Sequence, residues 1–324
     1  MTGKDLRIVF MGTPDFAVES LRALVENSYN VVGVITVPDK PAGRGQKIKQ
    51  SAVKKYAVEK GLMVLQPVKL RDPEFIAELK LLKADLQVVV AFRMLPEVVW
   101  SMPQKGTFNL HASLLPQYRG AAPLNWAIIN GEKESGATTF MLQHEIDTGN
   151  IIDQVKVPIG DNDTVETLHD NLRLSGAQLV LKTVDKIAKG NLKMIPQDQL
   201  IKEGETLKPA PKIFKEDCKI DWKRDCLSLH NFIRGLSPYP TAWTTLCHLE
   251  SGEETSAKIF HSDYEPAIHQ KTPGTMETDG KKYLKIACNN GFILIQQLQL
   301  AGKKRMGIED FLRGFQQIEK YKAG

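Results

Sequence analysis

A doubly wound, largely parallel α/β sheet of Rossmann-like kind, followed by a smaller C-terminal OB-like β-barrel, is the fold class this sequence predicts. Three observations predict it. The first 190 residues alternate short apolar runs with segments of helical spacing, the pattern of successive βαβ units. Residues 191–211 turn polar and proline-containing, as a linker does. Beyond 212, short strand-like runs are separated by turn residues, as in a small barrel. At 324 residues the chain is long for one core, so two domains are expected, 1–190 and 212–324.

The elements follow in order. Leu6 to Met11 is an apolar run ending at Gly12, as a buried parallel strand does. From Asp15 to Asn27, Ala17, Leu21, Leu24 and Val25 recur at helical spacing. Val31 to Thr36 is β-branched and reads as a second strand. Ser51 to Gly61 and Asp72 to Leu82 read as helices, with Ser51 and Asp72 as N-caps and Gly61 as the stop. Leu86–Ala91, Thr107–His111, Gly136–Gln143 and Ile151–Val157 read as strands, and Val165–Lys189 as a helix closing at Gly190. In the barrel, strands are expected over Thr241–His248, Ala257–Phe260, Tyr283–Ala287 and Phe292–Gln299.

Composition excludes several classes. A chain 42% hydrophobic and 25% charged is ordinary for a globular protein. The apolar run near its start, Ile8 to Met11, is too short for a signal-peptide core or a membrane span. A cytoplasmic protein, not a membrane protein, is expected. No coiled-coil pattern or obligate protein partner is evident, and a monomer is expected. Cys218, Cys226, Cys247 and Cys288 form neither a CxxC pair nor a zinc-ligand spacing with histidine, so reduced, mostly buried thiols and no metal are expected.

The first turn, Gly12-Thr13-Pro14-Asp15, lacks GxGxxG. Pro14 there suits the first turn of a helix, with Thr13 as its cap. No strand leads directly into Gly43-Arg44-Gly45 either. Nicotinamide chemistry is therefore disfavoured. Pro38 to Lys55 holds Lys40, Arg44, Lys47, Lys49, Lys54 and Lys55 against Asp39 alone. Such a cluster suits a polyanion; a solvated basic surface accounts for it equally well.

Asn109 and His111 stand two apart on one expected strand, so they face the same side at its carboxyl end. Alone they are equally a buried, hydrogen-bonded polar pair. The loop that follows, Ser113-Leu114-Leu115-Pro116 and then Arg119-Gly120-Ala121-Ala122-Pro123, has small residues that let a ligand approach closely. Asp147-Thr148-Gly149 read alone is a turn. Together an amide, an imidazole and a carboxylate can polarise a carbonyl and move a proton.

In this order, the Asn-x-His strand end, the SLLPQYRG loop and the DTG resemble the formyltransferases that use 10-formyltetrahydrofolate. The likeness extends to FMGTPDFA, PDKPAGRG, IDW (Ile220–Trp222), SPYPTAW (Ser237–Trp243) and AGKKRM (Ala301–Met306). The last three belong to the C-terminal barrel that only the longer members carry. The resemblance implies Asn109, His111 and Asp147 as catalytic residues. It implies Ser113, Leu114, Leu115 and Pro116 along the folate site, and 10-formyltetrahydrofolate as one-carbon donor. The acceptor it implies is methionyl initiator tRNA, met by Lys40, Arg44, Lys47 and Lys49 of a mobile arm and by Lys303, Lys304 and Arg305 of the barrel. An amino sugar nucleotide or a purine precursor is the alternative acceptor. The chain departs from the family pattern at Ala91–Pro96, which is shorter and lacks a glycine, and at Gln143–Glu145. Both border the expected folate pocket.

Overall fold

The computed structural model describes residues 2–42, 47–190 and 192–324. The chain divides into two compact units, one of residues 1–120, 135–157 and 169–209, the other of 121–134, 158–168 and 210–324.

The first unit opens with β1 (Ile8–Gly12), α1 (Asp15–Glu26) and β2 (Val31–Ile35), then a two-stranded ribbon of β3 (Lys40–Ala42) and β4 (Lys47–Lys49). α2 (Ala52–Glu59), β5 (Val64–Leu65), α3 (Pro73–Leu81), β6 (Leu86–Val90), α4 (Glu97–Trp100) and β7 (Thr107–His111) follow. In sequence, α5 (Pro123–Ile129), which belongs to the second unit, comes between β7 and β8 (Glu134–Met141); β9 (Ile151–Pro158) and α6 (Val165–Lys189), whose first residues also belong to the second unit, come after. Among the described residues seven strands form one sheet in the order β5-β2-β1-β6-β7-β8-β9. β5, β2, β1, β6 and β7 pair in parallel, and β8 runs antiparallel to β7. From β1 the chain first builds outward to β5, then crosses to β6. The carboxyl ends of β1 and β6 therefore flank the point where winding reverses, which is where open α/β sheets bind ligands, and β7 lies next to β6.

Local chemistry explains the elements. The Ser51 hydroxyl accepts from Lys54 N–H at 3.0 Å and the Asp72 carboxylate from Glu74 N–H at 3.0 Å, each supplying an orphan helix donor. Gly61, at φ +65°, ends α2 in the left-handed conformation that glycine adopts without strain. Thr13 is not the cap of α1. Pro14 takes that position in extended conformation, Asp15 becomes the first helical residue, and its carboxylate accepts from Phe16 N–H. Val9, Met11, Ile35 and Val89 of the sheet pack with Phe75 and Leu79 of α3 as one core.

The second unit contains α7 (Cys226–Gly235), β10 (Ala242–His248), β11 (Glu254–Pro266), β12 (Met276–Thr278), β13 (Leu284–Cys288) and β14 (Gly291–Leu300). β15 (Met306–Gly307), α8 (Ile308–Gly314) and β16 (Tyr321–Ala323) complete it. Its strands run β12-β13-β14-β11-β10-β16, and a bridge between Thr275 and Lys322 brings the two ends together into a nearly closed antiparallel barrel. Closure leaves little strand edge unpaired. α5 packs on α7, where the Asn125 amide donates to the Gly235 carbonyl at 2.8 Å. Arg234, 5% exposed, donates to the carbonyls of Gly160 and Asp163 at 3.0 and 2.8 Å. Segments distant in sequence thus complete this core.

The four cysteines are free; Cys218, Cys226 and Cys288 are buried and Cys247 half-buried. Burial pushes the three buried thiols up, Cys288 from 9.0 to about 11. Because the folded state holds that proton more tightly, the associated stability is complete below pH 9 and is lost as pH rises through about 11. A thiol reagent at pH 8 is expected to modify Cys247 alone in the native protein and all four in denaturant. Rapid native modification of Cys288 would contradict its burial.

Candidate active site

β7 presents the two residues that matter at its carboxyl end. Asn109 is opposite Phe140 and His111 opposite Thr138 on β8, which fixes the register of both. Asn109 is half-buried, and among the described residues its side-chain amide has no hydrogen-bond partner. An amide so placed is available to a ligand. His111 is 6% exposed, and its Nε2 lies 2.9 Å from the Tyr118 carbonyl. A carbonyl only accepts, so Nε2 carries the proton. Nδ1 can then donate only when the ring is doubly protonated. The Asp147 Oδ2 lies 3.9 Å from Nδ1, beyond hydrogen-bond length.

Asp147 is held on three sides. Its Oδ2 accepts from Gly120 N–H at 3.1 Å. Its own carbonyl and that of Gly149 each accept from the Gln197 amide nitrogen at 2.8 Å. Its φ is +55°, a left-handed conformation in which aspartate is over-represented among non-glycine residues. Gly149 faces a tighter constraint: a Cβ there would come within 1.7 Å of the Met141 carbonyl oxygen. Ala91 and Tyr118 are also left-handed, at φ +46° and +60°. Such residues concentrate where the surroundings dictate an unusual backbone, active sites among them.

The loop after β7 organises the site. Tyr118 carbonyl meets His111, Arg119 donates through Nε and Nη2 to Gln197 Oε1 at 3.0 and 2.6 Å, and Gly120 N–H meets Asp147. One tripeptide therefore touches His111, Gln197 and Asp147. Ser113, Leu115 and Pro116 are buried and Leu114 half-buried. Ser113 Oγ donates to the Gln117 carbonyl at 2.7 Å, while Leu115 N–H donates to Thr138 Oγ1, whose own hydroxyl donates to the Ser113 carbonyl. These residues give the loop its shape.

The stretch whose composition reads as a linker is fastened here too. Ile195 pairs with Ile151, Tyr118 N–H donates to the Lys208 carbonyl, and Gln117 bonds both Glu205 and Lys208. Sequence reading missed Gln197 and gave Arg119 no role. A buried glutamine in a polar segment carries no periodic signal, so only the fold reveals it.

Of the two departures from the family pattern, Gln143–Glu145 lies against α4, the helix that follows Ala91–Pro96. His144 stacks edge-on against Trp100 at 5.5 Å and lies 3.5 Å from Glu97. Arg93, within the Ala91–Pro96 departure, donates to the carbonyls of Pro67 and Val68.

In the ribbon, Lys40 and Lys49 are exposed and directly opposite one another. Like charges so paired repel, a cost that a polyanion relieves. Its base is clamped: Asp39 pairs with Lys54 at 2.6 Å and accepts from Gln66 at 2.8 Å, and these bonds hold its carboxyl below the usual range. Arg44 and the side chain of Lys47 lie outside the described residues. Lys303 and Lys304 are exposed. Arg305 lies over the Phe260 ring at 4.1 Å and donates to Gln297 at 2.7 Å. Among the described residues no three His, Cys, Asp or Glu side chains gather as a metal site, and no helix is long and apolar enough to cross a membrane.

Beyond the strand ends of a doubly wound sheet stand an amide with no partner among the described residues, an imidazole and a carboxylate, and the chain belongs to the formyl transferase family. The family's own description, Formyl transferase, matches residues 6–184, and Formyl transferase, C-terminal domain, matches residues 212–316. Among its relatives is a protein named methionyl-tRNA formyltransferase in Parabacteroides distasonis, 60% identical over the whole of both chains. Another of that name, in Bacteroides fragilis, is 59% identical over 99% of each. The solved structure of WlaRD, described as a sugar 3N-formyl transferase with dTDP and 5-N-formyl-THF, shares the fold at a TM-score of 0.63 and 23% identity, over 92% of this chain and 99% of that one.

Proposed function

We propose that this protein transfers the formyl group of 10-formyltetrahydrofolate to the α-amino group of methionyl initiator tRNA. The observation that carries the reading is full-length identity near 60% to methionyl-tRNA formyltransferases, barrel included. The donor set agrees with it. A free Asn109 amide beside a histidine with one committed nitrogen suits a carbonyl oxygen that gains negative charge.

The chemistry follows from these groups. As the α-amine closes on the formyl carbon, charge grows on the formyl oxygen. Asn109 donates to that oxygen from its amide, and His111 donates from Nδ1 as the imidazolium. Asp147 stabilises the imidazolium and assists loss of the proton that the attacking amine must shed. The C–N bond to the donor then breaks, the departing nitrogen takes up a proton to give tetrahydrofolate, and the formyl group stays on the amine. Ser113 to Pro116 shape the wall along which the donor lies. Residues 212–324 serve as the tRNA-binding domain. Lys40, Arg44, Lys47 and Lys49 in the arm, with Lys303, Lys304 and Arg305, meet phosphates, which position the acceptor without reading its sequence. The protein acts as a cytoplasmic monomer.

Purified protein incubated with 10-formyltetrahydrofolate and charged initiator tRNA is expected to yield formyl-methionine after deacylation, detected by mass spectrometry. Lys40→Glu with Lys49→Glu is expected to raise the KM for tRNA at least about tenfold, with weaker salt dependence than wild type. Absence of product while the donor binds would overturn the tRNA reading and direct the search to amino sugar nucleotides.

A further inference from the structure

We infer that Gln197 is a positioning residue for this reaction: its amide holds the Asp147–Gly149 turn, and so sets where the Asp147 carboxylate stands relative to His111. Gln197 is 3% exposed and uses its whole hydrogen-bonding capacity. Oε1 takes two N–H groups from Arg119, and Nε2 gives its two N–H groups to the carbonyls of Asp147 and Gly149. Two donors and two lone pairs are what a primary amide has to offer.

The side chain is itself fixed. The Ile151–Ile195 bridge, with mutual bonds of 2.8 and 2.9 Å, sets the register of the chain two residues earlier. Gln197 then opens a short 3-10 turn to Leu200. Arg119 is the counterpart on the other side. Its neighbours Tyr118 and Gly120 hold His111 Nε2 and Asp147 Oδ2. Arg119 and Gln197 therefore join the backbone that orients the histidine to the backbone that carries the aspartate. Asp147 is left-handed, a conformation that must be held by its surroundings. Carbonyls clamped on both sides of Thr148 do that. Glutamate could still accept from Arg119 but has no N–H for the carbonyls, and asparagine is one methylene too short to keep both sets of bonds.

The kinetic arm of the test rests on the proposed reaction; the exchange arm does not. Wild type, Gln197→Ala and Gln197→Glu are compared by amide hydrogen exchange of the ligand-free protein and by steady-state formylation of charged initiator tRNA. In both variants, faster exchange confined to residues around 147–150 is expected. With it kcat should fall roughly 10- to 100-fold, the scale of a misplacement near 1 Å. KM for donor and for tRNA should stay within about threefold, while melting falls by several degrees because the buried partners of Gln197 lose their hydrogen bonds. Unchanged exchange overturns the inference, whether or not wild type turns over. So does a Gln197→Glu variant with wild-type kcat, since it would show that donation to the two carbonyls is dispensable. Failure of wild type to formylate tRNA counts against the proposed function, and exchange then decides the role of Gln197.

Discussion

Asp147→Asn is expected to lower kcat about 100- to 1,000-fold, with the KM for donor and tRNA nearly unchanged, the scale seen when one group opposite a developing charge is lost. The change is isosteric, so the Gly120 N–H keeps an oxygen to bond. What differs is charge. The oxygen that keeps the Gly120 N–H is the same Oδ2 that lies 3.9 Å from Nδ1, so the ring still meets an oxygen there, but the negative charge opposite it is gone. That charge is what supports the positive charge the ring carries as it donates to the growing oxyanion. A uniform loss in kcat with unaltered circular dichroism and melting is the expected signature. A variant within tenfold of wild type would remove Asp147 from the reaction.

Gly149→Ala carries the largest expected combined effect on stability and turnover. The added methyl would come within 1.7 Å of the Met141 carbonyl oxygen and 3.0 Å of the fully buried Phe140 ring. Neither can yield as a flexible side-chain end would. The turn must lift off β8 by more than an ångström, breaking the bond from Met141 N–H to the Asn150 carbonyl. Overpacking of this kind costs about 1–3 kcal/mol, and the lost hydrogen bond about 1 more. Thermal melting is expected to fall by roughly 5 °C or more. Because Asp147 is two residues away, kcat should drop by about 100-fold or beyond. Gly314→Ala, where nothing lies within 4 Å of the added carbon, is the control. Wild-type melting and turnover in the Gly149→Ala variant would mean the turn is not held against β8.

The parts legible in the sequence are those whose physics is local. Buried parallel strands such as β1 and β6 are continuous apolar runs, and caps such as Ser51 and Asp72 announce helices in one residue. Asn109 and His111 were legible because a period of two puts them on one face of one strand. Thr13 misled because Pro14 serves equally at a cap or one position further in. β12, β15 and β16 escaped because strands of two or three residues have no period to detect. Gln197 escaped because its side-chain partners are 48 to 78 residues away. Nothing near it in sequence requires it.

The barrel's core is written in pieces. Ile129 of α5 belongs to it, and the carbonyls that satisfy Arg234 come from the loop at 160–163, both read out long before α7 exists. A nascent chain therefore carries an apolar helix face and unmet backbone acceptors while scores of further residues are made. Contacts of such sequence separation form slowly. Cutting the gene at the polar stretch after α6 would give two polypeptides, each missing something the other holds. For directed evolution the consequence is practical: recombination between relatives should preserve partners across that junction, because exchanging everything after residue 212 as a cassette separates α7 from the α5 it was selected with.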